Sequence, residues 1–416
     1  MSHVPPRGAV PWRNRTVQVV LVSTMLAPLG VPLVAPALPV VRDAFGLTDA
    51  QASLLVSAYF VVGILVSPFV GLLADRVGRK RVLVPALVVF SLTGLAGFFA
   101  PTYTTLLVLR GVQGTAAAAL FVTTVTIIGD VFDGVHRNAV LGANVAVLSL
   151  GAAAFPVLGG ALAAVAWNAP FVAYALGLPV ALFASVVLEE PTATARETAG
   201  ATDGGTDGPD GGTAGYLRGA VSTLTPALGG LLATAFLTEF LLFGTVVTTL
   251  PFLLTAAFGV TPLYVGLMLM AAEGGSVVAA AASGRLAGVF SNGRLVALGF
   301  TCYGLSLAGV YVSPSPAFVA VSVLVFGVGL GLSMPAVDAA VSERVAQEYR
   351  AGLLGLRNST TFLGRATGPV AFAAAATVVG YRPLLGVAAA GVLVVAVVAA
   401  MLTRASVSYG DPEPTV

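Results

Sequence analysis

Twelve apolar runs, each about 20 residues or longer and divided by short polar stretches, leave this chain one class of fold. Lipid gives backbone N–H and C=O groups no partners, so each run must satisfy its own hydrogen bonds as a helix. The runs fall at residues 17–41, 51–73, 81–100, 104–129, 139–164 and 168–188, then at 225–250, 260–283, 294–313, 316–338, 351–377 and 382–403. The expected fold is an all-α membrane protein. Arg7, Arg13 and Arg15 before the first run suggest a secretory signal, but that run is too long for one and eleven similar runs follow. Only 9% of residues are charged, against about 25% in soluble domains.

The few charges are placed unevenly. Sixteen of the twenty Lys and Arg residues belong to the tails and even-numbered connections, while Arg42 and Arg382 alone occupy odd-numbered ones. Basic residues in short loops mark the cytoplasmic side. Both chain ends are therefore expected in the cytoplasm, in a multi-pass protein of the plasma membrane. A net charge of +2 gives no reason to expect a nucleic-acid partner. One cysteine, Cys302, and two histidines, His3 and His136, supply neither a disulfide nor a metal cluster, so no metal or cofactor is expected. There is no phosphate-binding P-loop and no nucleophile–base set, which argues against ATP as the energy source and against an enzyme.

Residues 191–222, rich in Gly, Thr, Asp and Pro, read as a flexible cytoplasmic linker between a six-helix half at 1–190 and another at 223–416. The halves match at a constant offset of 213 residues: Asp130 returns as the acid Glu343, Arg137 as Arg350, Gly142 as Gly355, Gly151 as Gly364 and Pro156 as Pro369. Six spans per copy put both copies the same way up, so the repeat is parallel, with a pseudo-two-fold axis along the membrane normal. Such an arrangement places a binding site between the halves near mid-bilayer, and lets them rock to expose it to each side in turn.

Three segments carry chemistry. The hairpin between the second and third spans holds Gly71, Asp75, Arg76, Gly78, Arg79 and Lys80. Its glycines allow close approach and a tight turn. Asp75 can pair with Arg79, and Asp130 at the end of the fourth span is a second acid in reach, so the cluster can hold the cytoplasmic side closed in one state. The plainer reading is a positive-inside anchor. In the fourth span, Arg110 and Gln113 lie one turn apart, and a guanidinium there costs at least ~2.5 kcal/mol unless it faces protein or water. Snorkelling to the outer interface is the alternative. The fifth span sets Gly142, Gly151, Pro156, Gly159 and Gly160 along one helix, a smooth and kinked surface suited to packing against the other half.

These segments resemble those of the major facilitator superfamily of secondary transporters. The hairpin is similar to that family's G-x-x-x-D-R-x-G-R-[RK] loop, and its second-half copy has Gly288 in place of the acid. Arg110 to Gly114 resembles the fourth-span R-x-x-Q-G motif, whose arginine is associated with proton coupling. The fifth span resembles the motif of the drug/proton antiporters, with Phe155 where glycine is usual. The resemblance implies a secondary active transporter working by alternating access, with proton-coupled efflux of a small organic solute or drug as the first expectation. Proton-coupled uptake, or uniport, of a sugar, organic acid or other metabolite is the second. The expected partners are a small solute, protons and the bilayer, around a monomer.

Three further ionisable residues sit mid-span: Glu239, Glu273 and Arg365. Each is expected to pair, to line a wet cavity or to carry a proton. Desolvation and a nearby guanidinium act on a carboxyl in opposite senses, so its charge can change with conformation. Either glutamate is a candidate partner for Arg365. Asn144 and Asn358 are candidate polar groups of the same cavity, and the first span contributes no acid.

Overall fold

The computed structural model describes residues 10–189, 225–344 and 350–408; the expected linker lies outside the described residues. The described residues form helices and turns without a strand. Among the described residues eleven helices are long and apolar enough to cross a membrane, including Asp49–Val66, Tyr103–Val131, Gly134–Ala163, Pro226–Phe258, Pro262–Leu286 and Gly355–Val379. Several begin at a hydroxyl cap. Thr48, Thr102, Thr225 and Ser315 each accept a hydrogen bond from a first-turn amide that has no partner within the helix.

The first expected span is a broken rod. Helix Arg15–Leu26 passes through two short turns of tighter helix, Ala27–Leu29 and Ala35–Ala37, before helix Leu38–Phe45. Pro28, Pro32, Pro36 and Pro39 explain the break, since each lacks an N–H and its ring crowds the preceding turn. Non-helical backbone survives at this depth only where protein covers it. Here the Tyr174 hydroxyl donates to the Leu29 carbonyl at 2.6 Å. The seventh span has its own irregularity, a π-helical stretch at Leu242–Thr249, beginning three residues beyond Glu239.

The repeat survives in three dimensions. A Cβ on Gly114 would run into the Tyr59 carbonyl, and one on Gly327 into the Ala272 carbonyl; both pairs are related by the 213-residue offset. Arg79 pairs with Asp130 at 2.9 Å, and at the matching positions Asn292 donates to Glu343 at 3.1 Å. Each half has its own core, one built from Val17 to Leu188 and one from Leu228 to Ala396, with a few side chains crossing over.

The halves touch through the second and eleventh spans and through the fifth and eighth. These contacts gather toward the face carrying the odd-numbered connections, called here the far face. There the Gly160 backbone lies against Pro262, Gly266 lies against Pro156, and the Arg42 guanidinium sits 5.6 Å from the Phe252 ring. The second span shows the asymmetry along its length: Leu55 and Val56 are fully buried, whereas Leu65 and Phe69 further on are 65% and 68% exposed. On the opposite, basic face the ion pairs among the described residues each stay within one half. The molecule is thus closed on its far face.

Candidate functional site

Between the halves lies a cavity of about 500 Å³, walled by side chains from both. Its surface is largely aliphatic and aromatic. The polar side chains on it are Tyr59, Ser149, Ser276, Glu239, Glu273 and Arg365. Three of the expected site residues therefore come together here.

Glu239 is 2% exposed, and its two oxygens accept from Arg365 Nε at 3.0 Å and from Nη2 at 2.7 Å. Of the two candidate partners for Arg365, the geometry selects Glu239. A two-point fork of this kind is the strongest form of the pair. The guanidinium is also 5.2, 5.5 and 5.9 Å from the Phe362, Phe243 and Phe60 rings, and all four residues line the cavity. Glu273 has no ion-pair partner among the described residues; Ser149, from the other half, is its polar neighbour across the cavity. With both carboxyls ionised, the three groups would carry one net negative charge.

Arg110 and Gln113 do not line the cavity. They lie behind Tyr59 in the core of the first half, each 1% exposed. Arg110 donates to the Leu55 carbonyl at 3.1 Å, to Gln113 Oε1 at 2.7 Å and to the Tyr174 hydroxyl at 3.2 Å, with its charge 4.7 Å from the Tyr59 ring. Gln113 in turn donates to the Phe90 carbonyl at 3.2 Å. This cluster ties the second, third, fourth and sixth spans to the break in the first, so snorkelling is not what Arg110 does. Asn144 also turns away from the cavity, accepting from the Thr24 hydroxyl at 2.6 Å. Asn358 is exposed and accepts from Arg357 at 3.3 Å. Arg357, counted among the connections by its charge, lies inside the eleventh helix and pairs with Asp338 at 2.7 Å.

In the hairpin, Arg79 bridges Asp75 and Asp130, while Arg76 stays exposed. Gly78 has φ +113°, a conformation closed to most side chains, and it is this turn that brings Arg79 back to both acids. Gly71 meets nothing within 4 Å, so it is no close-approach point in this state. Within the fifth span the glycines divide their work. Gly142 faces open space, Gly151 packs on Met25 and Pro28, Gly159 on Leu33, and Gly160 reaches the other half. Phe155 folds back over Gly151, buried within its own half, so it leaves the contact between halves unchanged.

The sequence profile described as Major Facilitator Superfamily matches residues 20–257 and again 232–415. The bacillibactin exporter of Bacillus subtilis (strain 168) is 28% identical over 364 residues, 83% of this chain and 86% of that protein. Quinolone resistance protein NorA of Staphylococcus aureus (strain MRSA252) is 30% identical over 179 residues, 43% of this chain and 46% of that one. Among solved structures, a bacterial homologue of the human lysosomal transporter Spinster, inward-facing and unoccupied, has a TM-score of 0.76 at 17% identity, covering 98% of this chain and all of its own. A D-xylose–proton symporter has a TM-score of 0.68 at 14% identity, covering 91% and 96%. At such identities the structural likeness speaks for the fold alone.

Proposed function

Because the chain belongs to the Major Facilitator Superfamily, and is thus a multi-pass membrane transporter of small solutes and no enzyme, we propose that it exports an organic solute with an apolar body and a basic centre in exchange for protons. The observation that carries this reading is the pairing inside the cavity: it holds two carboxyl groups and one guanidinium, and Glu239 takes the guanidinium, so Glu273 is left without a cation. One proton, or one basic centre on a solute, neutralises the set. A site that either ligand can neutralise, but not both together, is the requirement for exchange. The lining rings and aliphatic side chains suit a solute with a flat apolar body.

In the proposed cycle the basic face is cytoplasmic and the membrane is the plasma membrane. Solute enters from the basic face, the halves 1–190 and 223–416 rock about the cavity, solute leaves at the far face, and a proton returns the carrier. In this reading the far-face closure and the exposed lower part of the second span belong to the loading state of that cycle. Each inward proton contributes about 2.3 kcal/mol per 100 mV. One chain encloses the whole cavity, so the monomer is the working unit.

The test is solute flux in vesicles with an imposed pH gradient. Net export that runs against proton entry supports the reading; flux in the same direction as the protons assigns uptake instead. In the same vesicles Glu273→Gln is expected to retain solute binding for uncharged ligands, to unfold at the wild-type temperature, and to lose at least tenfold of its pH-gradient response. A response equal to wild type would remove Glu273 from the mechanism.

A further inference from the structure

Exchange fails if the carrier can reorient with neither solute nor proton aboard, because the gradient then dissipates through the empty form. Resting on the exchange reading above, we infer that Phe60 is the lock on the empty carrier: it binds the first half to the Glu239–Arg365 pair of the second and holds the far face closed while that pair is intact. Phe60 has not been given a role by its residue type, and it is a positioning residue that acts through Arg365.

The geometry is specific. Arg365 sits among three rings; Phe243 and Phe362 belong to its own half and Phe60 to the other. Phe60 is 8% exposed and meets Phe243 edge to face at 5.0 Å and 88°, with Phe362 at 6.2 Å. The electron-rich faces of such rings attract a guanidinium, more strongly where water is excluded. Glu239 fixes the guanidinium in that position through two hydrogen bonds. The contact lies at the meeting of the second and eleventh spans, one of the two principal joints between the halves.

The groups facing Glu239 define how the lock opens. Arg365 faces it from the eleventh span, Glu273 from the eighth and Tyr303 from the ninth, while the tenth contributes Phe326 and Met334 to the cavity and no charge. Once that pair is broken, Glu273 is the remaining anion for Arg365. The guanidinium then leaves the ring cage, and Phe60 keeps only its ring contacts. A solute wedged beside Phe60 separates the ring from Arg365 by occupancy alone. Either ligand opens the lock and absence of both keeps it shut, as exchange demands. Phe60 and Glu273 also stand at matching positions of the repeat, 213 residues apart, so each is its half's projection toward the other.

The experiment reads far-face opening directly. Cys302 is replaced by serine, and cysteine is placed at Val31, which lines the cavity and is 2% exposed. A membrane-impermeant maleimide is applied from the far face to the full chain in vesicles, at acid and alkaline pH, without solute. Wild type should label slowly at alkaline pH and faster at acid pH. Phe60→Ala should label about five- to tenfold faster at alkaline pH and lose the pH dependence. Phe60→Leu, which keeps the bulk and removes the ring, should do the same, and Phe60→Tyr should restore wild-type behaviour. Phe236→Ala removes a ring stacked on Phe240 at 5.4 Å, off the cavity wall, and should label as wild type. Glu239→Gln should match Phe60→Ala. The proposal is overturned if Phe60→Ala and Phe60→Leu keep wild-type pH dependence, if Phe236→Ala behaves as they do, or if Glu239→Gln labels as wild type. Flux in the same vesicles is scored separately: solute movement indifferent to a pH gradient refutes exchange while leaving the labelling result to judge the lock.

Discussion

Glu239→Ala is expected to destabilise the protein by about 3 kcal/mol, near the lower end of what breaking a buried ion pair costs. The lower end applies because Arg365, 31% exposed, keeps some access to cavity water, whereas Glu239 is 2% exposed. The cost arises from the partner left behind, a guanidinium in an apolar cage that has lost its two-point partner. Replacing both, as Glu239→Leu with Arg365→Met, should therefore recover most of the loss, because it removes the stranded guanidinium as well. Glu273→Ala removes no ion pair and should cost under about 1 kcal/mol. Thermal unfolding in detergent of the two single variants and the double variant decides the matter. Equal losses for Glu239→Ala and Glu273→Ala, or a double variant no better than Glu239→Ala, would refute the assignment.

The second large effect belongs to two adjacent glycines. Gly160→Leu should block closure of the far face and reduce transport at least a hundredfold, while the protein stays folded. Its side chain would project into the Pro262 backbone of the other half, a joint that must separate in any case during the cycle. Gly159→Leu should instead unfold the first half, because its side chain would strike the Leu33 carbonyl of the broken first span, a permanent neighbour. Expression yield, unfolding temperature and far-face cysteine labelling separate the cases. A well-folded Gly159→Leu, or a Gly160→Leu still closed to label, would contradict the division between static and moving contacts.

What the sequence makes legible follows from how costly each feature is in lipid. Asp75, Arg79 and Asp130 stand out because charge is scarce, and their mutual reach follows from two short loops. Glu239, Glu273 and Arg365 stand out for the same reason, but which glutamate takes the arginine depends on helix rotation, which small-residue packing sets and periodicity does not. Arg110 and Gln113 are equally visible, yet their place behind Tyr59 depends on the break in the first span. By hydropathy the run 17–41 reads as one continuous helix; Pro28, Pro32, Pro36 and Pro39 are the signal that marks where it breaks. The π-helical stretch at Leu242–Thr249 leaves no such mark, though Gly244 there packs against Gly368 and Phe372 of the eleventh span. Phe60, Phe243 and Phe362 are invisible to any sequence argument, since phenylalanine in an apolar run is ordinary until three rings converge on one cation.

The duplicated backbone has a consequence for engineering. Glycines that serve both copies, such as Gly114 and Gly327, tolerate little change because each presses on a neighbouring carbonyl. Chemistry resides where the copies have diverged: Phe60 against Glu273, Ala152 against Arg365, Gln113 against Phe326. A combinatorial library confined to Ala152, Phe121 and Phe326 would vary the cavity wall while leaving the load-carrying glycines, the ion pair and the cage intact. Altered cargo range should emerge from such a library far more often than from random mutagenesis of the same depth.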